Sequence, residues 1–272
     1  MSAGKRVLRE ASKVSSRATS PTRAAAPHTP VDPSAEPLRT AIVTGASKGM
    51  GRALTTFLAA QRFRLVITAR GAADLEDARA ELARLTEVES VVGDVADEDH
   101  RDQVRRVAGS RVDLLVHNAS SLGPSPLPTL AEVELHDVRT LLETNVVAPI
   151  AMTQALLPAL RAARGTIVTI SSDAAVGGYA TWGAYGASKA ALDLVTTTWA
   201  AELAAEGVTA VSVDPGDMRT DMHQAAYPGE DIHDRPLPEV TLPFWAWLLE
   251  RSPEEIRGRR FRAQGDTWET HA

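Results

Sequence analysis

Tyr185 and Lys189 stand four residues apart in a stretch, about Trp182 to Ala205, that reads as one helix, so the phenol and the ammonium share a face. A bare pair at this spacing is commonplace. It gains weight from Ser172, thirteen residues before Tyr185 at the end of a β-branched run, and from Asn145, earlier still in another helical stretch. A phenol with an ordinary pKa of about 10 is a weak base at neutral pH. A neighbouring ammonium favours the phenolate and lowers that value. A hydroxyl beside them can donate to an oxygen on which charge develops. Together these groups can carry a proton to or from a substrate oxygen. Ser171 competes with Ser172. Adjacent strand side chains point to opposite faces, however, and the spacing to Tyr185 selects Ser172.

A second set lies upstream, in Thr44-Gly45-Ala46-Ser47-Lys48-Gly49-Met50-Gly51. Glycine permits positive φ and lets backbone N–H groups come close to a pyrophosphate. A helix starting after the loop would face that anion with its positive end. An ordinary tight strand-to-helix turn is the lesser alternative.

Both sets need elements to hold them. From Thr40 onward, short β-branched runs alternate with helical patterns. Strands are expected over Thr40–Thr44, Arg64–Thr68, Val88–Val92, Val112–Val116, Thr166–Ile170 and Val208–Val213. Helices are expected over Arg52–Arg62, Ala72–Leu85, Glu98–Val107, His136–Ala163 and Trp182–Ala205. This alternation predicts an α/β fold, a doubly wound parallel sheet of about seven strands with helices on both faces. After Val213 the pattern fails. Asp214–Glu255 is proline-rich and reads as an irregular insertion with one or two short helices, and Arg260–Arg262 as a poorly supported seventh strand.

The ordered motifs resemble the short-chain dehydrogenase/reductase family over roughly Leu38 to Thr220. The Gly-x3-Gly-x-Gly spacing of the loop is that family's, not the Gly-x-Gly-x-x-Gly of longer dehydrogenases. The resemblance implies a Rossmann-like fold and an oxidoreductase that moves a hydride between a nicotinamide and a carbonyl or secondary alcohol. Asn145, Ser172, Tyr185 and Lys189 would be its catalytic tetrad. In that set Tyr185 is the acid in reduction, Ser172 donates to the substrate oxygen, and Lys189 binds the nicotinamide ribose. Asn145 would support a water joining Lys189 to solvent.

For the cofactor the resemblance implies Thr44, Gly45, Ser47, Lys48, Gly49, Met50 and Gly51 in the loop. Asp94 and Val95 would lie near adenine, Asn118 and Ala119 after the fourth strand, and Pro215, Gly216, Met218 and Thr220 beside the nicotinamide carboxamide. Tyr185 and Lys189 also belong to this set. Where the family usually reads Asn-Asn-Ala-Gly, this chain reads His117-Asn118-Ala119-Ser120, and Asp214 replaces a common asparagine. His117 reads as a hydrogen-bonded strand-end residue before it reads as a base. The second strand ends in Arg70, with no carboxylate for a ribose 2′-hydroxyl. Arg70, with Lys48, suits a 2′-phosphate, so NADP(H) is favoured over NAD(H). Solvated surface cations are the alternative.

Composition bounds the rest. The 272 residues are 44% hydrophobic and 24% charged, with a net charge of −6. That charge gives no support to nucleic-acid binding. The absence of cysteine excludes disulfides, thiolate metal sites and cysteine nucleophiles. No apolar run approaches a membrane span. Asp221 and His223 lack an evident third metal ligand, so no metal is expected. Residues 1–36 are rich in Ser, Thr, Ala and Pro and carry many cations. They read as a disordered tail, or as an organelle-targeting segment on an otherwise cytoplasmic protein. Residues 37–272 read as one domain, with a substrate lid at about 217–256. Trp182 could wall the pocket. Phe244, Trp245 and Trp247 could line it, form lid core or meet another subunit. A homodimer or homotetramer is expected from the resemblance. Two other readings stay open: an epimerase or dehydratase on the same fold, and a non-catalytic nucleotide-binding regulator.

Overall fold

The computed structural model describes residues 38–265 together with Thr267 and Trp268. The tail at 1–36 lies outside the described residues. Seven strands form one parallel sheet: β1 (Thr40–Thr44), β2 (Arg64–Ala69), β3 (Val88–Val92), β4 (Leu114–His117), β5 (Thr166–Ile170), β6 (Thr209–Asp214) and β7 (Arg260–Arg262). Their order is β3-β2-β1-β4-β5-β6-β7. Successive strands are joined through α1 (Gly49–Ala60), α2 (Ala72–Leu82), α3 (Glu98–Ala108), α4 (Leu135–Leu142), α5 (Ala148–Ala163) and α6 (Gly183–Glu202). Three short helices, α7 (Asp221–Ala226), α8 (Leu242–Leu249) and α9 (Pro253–Ile256), fill the crossover from β6 to β7.

Period-two alternation splits each strand between two cores. Ala41 and Val43 of β1 join Leu65, Val116, Val168 and Val213 on one face, with Leu54 and Leu58 of α1 and Phe244 and Trp245 of α8. Ile42 joins Val66, Leu115 and Ile167 on the other, with Met152, Leu156 and Leu160 of α5 and Trp199 of α6. Burial on both faces is why these strands read as continuous apolar runs rather than alternating ones.

Four expectations need correction. Helix α1 begins at Gly49, not Arg52, because the helix N-terminus absorbs the last two loop glycines. β4 begins at Leu114, not Val112, and the Asp113 carboxylate before it accepts from the N–H of Thr40 at 2.9 Å. The stretch expected as one α-helix from His136 is broken by a π-helical turn, Glu143–Val147, between α4 and α5. The whole stretch, Leu135–Ala163, is 29 residues with a mean hydropathy of 1.4 over its apolar window, enough by length and composition to cross a membrane. No such run had been expected. Its apolar face packs against the sheet in the second core.

Candidate active site

The strand order reverses direction between β1 and β4, and the crevice at the carboxyl ends of the strands opens there. A cleft of about 520 Å³ occupies it, lined by the glycine loop and by the ends of β2 to β6. Gly45 has φ +65°, and a Cβ on it would lie 2.9 Å from the Ala119 Cα and from the Asn118 amide nitrogen. A Cβ on Gly51 would lie 2.3 Å from the Gly45 carbonyl oxygen. Asn118 Nδ2 donates to the carbonyls of Thr44 and Gly45 at 2.8 and 2.9 Å. Thr44 Oγ1 accepts from the N–H groups of Asn118 and Ala119 at 3.0 and 2.9 Å. Gly45, Ser47, Lys48, Gly49, Met50, Asn118 and Ala119 therefore border the cleft. Thr44 and Gly51, expected at the cofactor, stand behind it and hold the loop in shape. The glycine cradle and the amides opening α1 fit a pyrophosphate.

At the far end, Arg70, Asp94 and Val95 line the same cleft. The Arg70 side chain is 78% exposed, with Nη1 3.7 Å from Asp94 Oδ2. Lys48 is more committed: its ammonium lies 3.1 Å from Asp74 and 3.7 Å from Asp221. The hydrogen bond to Asp74 is the main cause raising its pKa. Asp74 also borders the cleft and was not foreseen from sequence.

Tyr185 and Lys189 lie one turn apart on the buried face of α6. A Cβ on Gly186 would meet the Ala174 carbonyl oxygen at 2.5 Å, so glycine there lets α6 press against the turn that follows Ser172. Lys189 Nζ donates to the Ile170 carbonyl at 2.8 Å and lies 5.6 Å from the centre of the Tyr185 ring. Ser172 Oγ donates to Asp173 Oδ1 at 3.1 Å and accepts from the Ala174 N–H at 3.2 Å. Ser171 turns its hydroxyl away, to Asp193 at 2.7 Å.

The protonation balance differs from the expected one. Burial pushes the Tyr185 phenol up to about 12, against hydrogen bonding from Ser120 and then Ser172. Burial brings Lys189 down to about 8, against the charge of Asp193. The phenol is not lowered by its ammonium, because both groups are desolvated together and each is pushed towards neutrality.

Asn145 sits in the π-helical turn, 1% exposed, and only its neighbour Thr144 borders the cleft. Its Oδ1 accepts from the Ser121 N–H at 2.7 Å and from Ser120 Oγ at 3.2 Å. Its Nδ2 donates to the Ser121 carbonyl at 2.8 Å and to Ser188 Oγ at 3.0 Å. All four positions of the amide are taken. The side chain has no free position for a water, so a water link from Asn145 to Lys189 would run through the main chain. The structure adds Ser120, which borders the cleft and touches both Asn145 and Tyr185. Its serine-for-glycine departure was the available signal.

Pro215, Gly216, Met218 and Thr220 line the opposite wall. Thr220 also caps α7, accepting from the His223 N–H at 3.1 Å. Trp182 borders the cleft with its ring 5.7 Å from Tyr185, edge to face. From the expected lid, Asp217, Asp221, Met222, His223 and Ala226 reach the cleft. Phe244 and Trp245 do not. They are fully buried, and Phe244 packs with Trp247, Phe261 and Trp268 in the first core. His117 is buried, 2.9 Å from Thr153 Oγ1 and stacked on Trp199. Among the described residues no three metal-ligating side chains are gathered.

A glycine turn at the switch point of a parallel sheet places the molecule among the doubly wound dinucleotide-binding proteins. Known proteins narrow that class. A profile described as short chain dehydrogenase matches residues 39–231. The short chain dehydrogenase penD of Penicillium thymicola is 36% identical over 234 residues, 80% of this chain and 82% of that protein. L-xylulose reductase of Bos taurus is 35% identical over 191 residues, 70% of this chain and 75% of that protein. A short chain dehydrogenase from Escherichia coli CFT073, solved with NADPH, superposes with a TM-score of 0.74 at 29% identity, covering 84% of this chain and 97% of that one. The chain belongs to the short-chain dehydrogenase family. It is accordingly an oxidoreductase that uses a nicotinamide cofactor on a small-molecule substrate.

Proposed function

We propose that this chain is an NADP(H)-dependent reductase of carbonyl compounds, acting in reverse as a dehydrogenase of secondary alcohols, with Tyr185 as acid and base. The observation that carries the reading is the meeting of Tyr185, Lys189 and Ser172 in the same cleft as the glycine loop. A bound nicotinamide supplies the hydride. Tyr185 delivers a proton to the carbonyl oxygen. The phenol is protonated at neutral pH, the form a donor starts from. Ser172 turns its hydroxyl to the same oxygen as negative charge builds. Lys189 orients the ribose. Arg70, exposed and loosely paired, receives a 2′-phosphate. The solved relative with NADPH supports that preference. Trp182, Leu122, Met222 and Ala226 give the substrate end apolar walls, which favours a carbonyl with an apolar or aromatic flank.

The direct test follows NADPH absorbance with the full chain over a panel of aldehydes and ketones. NADPH oxidation by at least one of them is the expected result. Tyr185→Phe should lower turnover by roughly 10²–10⁴-fold while NADPH affinity stays within about twofold. Wild-type turnover in that variant would remove the proposed acid. Isomerised product without net oxidation would mark an epimerase instead, and binding without turnover a regulator.

A further inference from the structure

Arg260, the first residue of β7, reaches the carboxyl ends of β5 and β6 directly behind the cleft. Its Nη2 donates to the Ser172 carbonyl at 2.7 Å and to Asp214 Oδ2 at 3.1 Å. Its Nε donates to Asp193 Oδ2 at 3.1 Å. Asp193 Oδ2 also accepts from Ser171. Asp214 Oδ1 accepts from the Gly216 N–H at 3.1 Å, closing the turn that faces the cleft. The Asp214 side chain is only 4% exposed. A carboxylate so buried is costly unless it is paired and hydrogen-bonded. The asparagine usual at this place in the family would need no counter-charge, whereas the aspartate here has one in Arg260.

We propose that Arg260 is a positioning residue for the reaction. A single guanidinium fixes the backbone of Ser172 and, by neutralising Asp214, the Pro215–Gly216 turn, so that the two walls of the cleft are held in register. The proposal rests on the reading of Ser172 and Tyr185 given above. Its fork geometry is what lets one side chain serve a carbonyl and two carboxylates at once.

The charges around Tyr185 give this role a signature. Facing the phenol are Lys189 from its own helix, Ser172 and Asp173 after β5, Ser120 after β4 and Asp214 at the end of β6. Asp193 faces Lys189. Arg260 is the cation set against Asp193 and Asp214. Without it their negative charge is uncompensated and favours the protonated phenol, so Tyr185 would yield its proton only at higher pH.

The test is a cycle of four full-length proteins: wild type, Arg260→Met, Asp214→Asn and the double variant. Arg260→Met should lower kcat by about 10- to 100-fold and move the rising limb of alcohol oxidation up by about one pH unit. The double variant should regain at least about tenfold in rate and bring the limb back. A purely structural arginine would lower the melting temperature and leave the limb where it was. A limb unmoved in Arg260→Met, or a double variant no better than the single, overturns the proposal. Arg260→Lys covers the case in which the methionine variant does not fold. It keeps the charge and loses the fork, so kcat should fall with the limb in place, and a wild-type kcat there is contrary. If the wild type oxidises no NADPH with any carbonyl, the broader reading has failed instead. Melting temperatures of the four proteins then still read the Asp214–Arg260 coupling, and additive values would refute it.

Discussion

Tyr185 and Lys189 are moved from their ordinary protonation balances in opposite directions by the same cause, burial. The phenol is raised to about 12 and the ammonium lowered to about 8. At neutral pH the phenol is therefore protonated, the form from which the proposed donor starts. At the other end of the cleft the two candidate phosphate cations are unequal. Lys48 is held by Asp74 and Asp221, whereas Arg70 meets only Asp94 at 3.7 Å. Charge-assisted hydrogen bonds are worth roughly 1.5–3 kcal/mol each. Arg70→Ala should therefore weaken NADPH binding by roughly 10- to 100-fold and leave NADH within about threefold. Lys48→Ala should do less. Fluorescence titration with both nucleotides reads the difference, and equal losses for the two would place the 2′-phosphate elsewhere.

The loop between β1 and α1 works as a packed element rather than a flexible one. Gly45 and Gly51 lie against each other and against Asn118, with no room for a methyl group at either. Gly51→Ala puts a Cβ 2.3 Å from a backbone oxygen and 2.5 Å from the Asn118 amide. Neither neighbour is a free-swinging side-chain end, because Asn118 is itself pinned to the loop carbonyls. The variant is expected to lose at least about 2 kcal/mol of stability together with nucleotide binding. Urea unfolding and NADPH titration of the same sample check both, and wild-type behaviour in each would show that the loop can yield. Glycine serves a related purpose at position 186, where α6 meets the turn after β5. The π-helical turn does the opposite. It leaves the α-helical register at Asn145 and turns the amide onto Ser120, Ser121 and Ser188.

Across the molecule, the two cores on either side of the sheet govern how folding responds to acid. His117 ends β4 inside the second core, and burial brings its pKa down to about 3. An unfolded histidine titrates near pH 6.5. The folded state therefore holds the neutral form, and the stability this confers is complete above about pH 6.5. As pH falls towards 3 it is lost at about 1.4 kcal/mol per pH unit. Burial lowers His100 as well, which adds to the same trend. Urea unfolding across that window should show His117→Gln with a shallower loss than wild type, and parallel curves would mean that His117 is hydrated or paired. On the opposite face Phe244, Trp247, Phe261 and Trp268 close the first core and tie α8 and the segment after β7 to the sheet edge. Arg260 thus sits on a strand anchored by aromatic packing.

Local chemistry made much of this legible without coordinates. The strand and helix alternation sets two periods that any parallel sheet must respect. The glycine loop needs particular backbone angles. Tyr185 and Lys189 are one helical turn apart whatever the helix packs against. Each of those facts depends on neighbours in the chain. The rest depends on partners far along it. Whether Phe244 and Trp245 enter the cleft or the core was open until α8 was seen against the sheet. The Tyr185 phenol was expected to be lowered and is raised, because desolvation is set by everything packed around it and spacing records only its nearest cation. Asn145 spends its side-chain amide on Ser120 and Ser121 after β4 and on Ser188 of α6, partners that its own helix does not reveal. Asp214 looked like a weak point in the family pattern until Arg260, 46 residues on, was found beside it. Burial and counter-charge are properties of a three-dimensional neighbourhood, and no pattern along one strand or helix contains them.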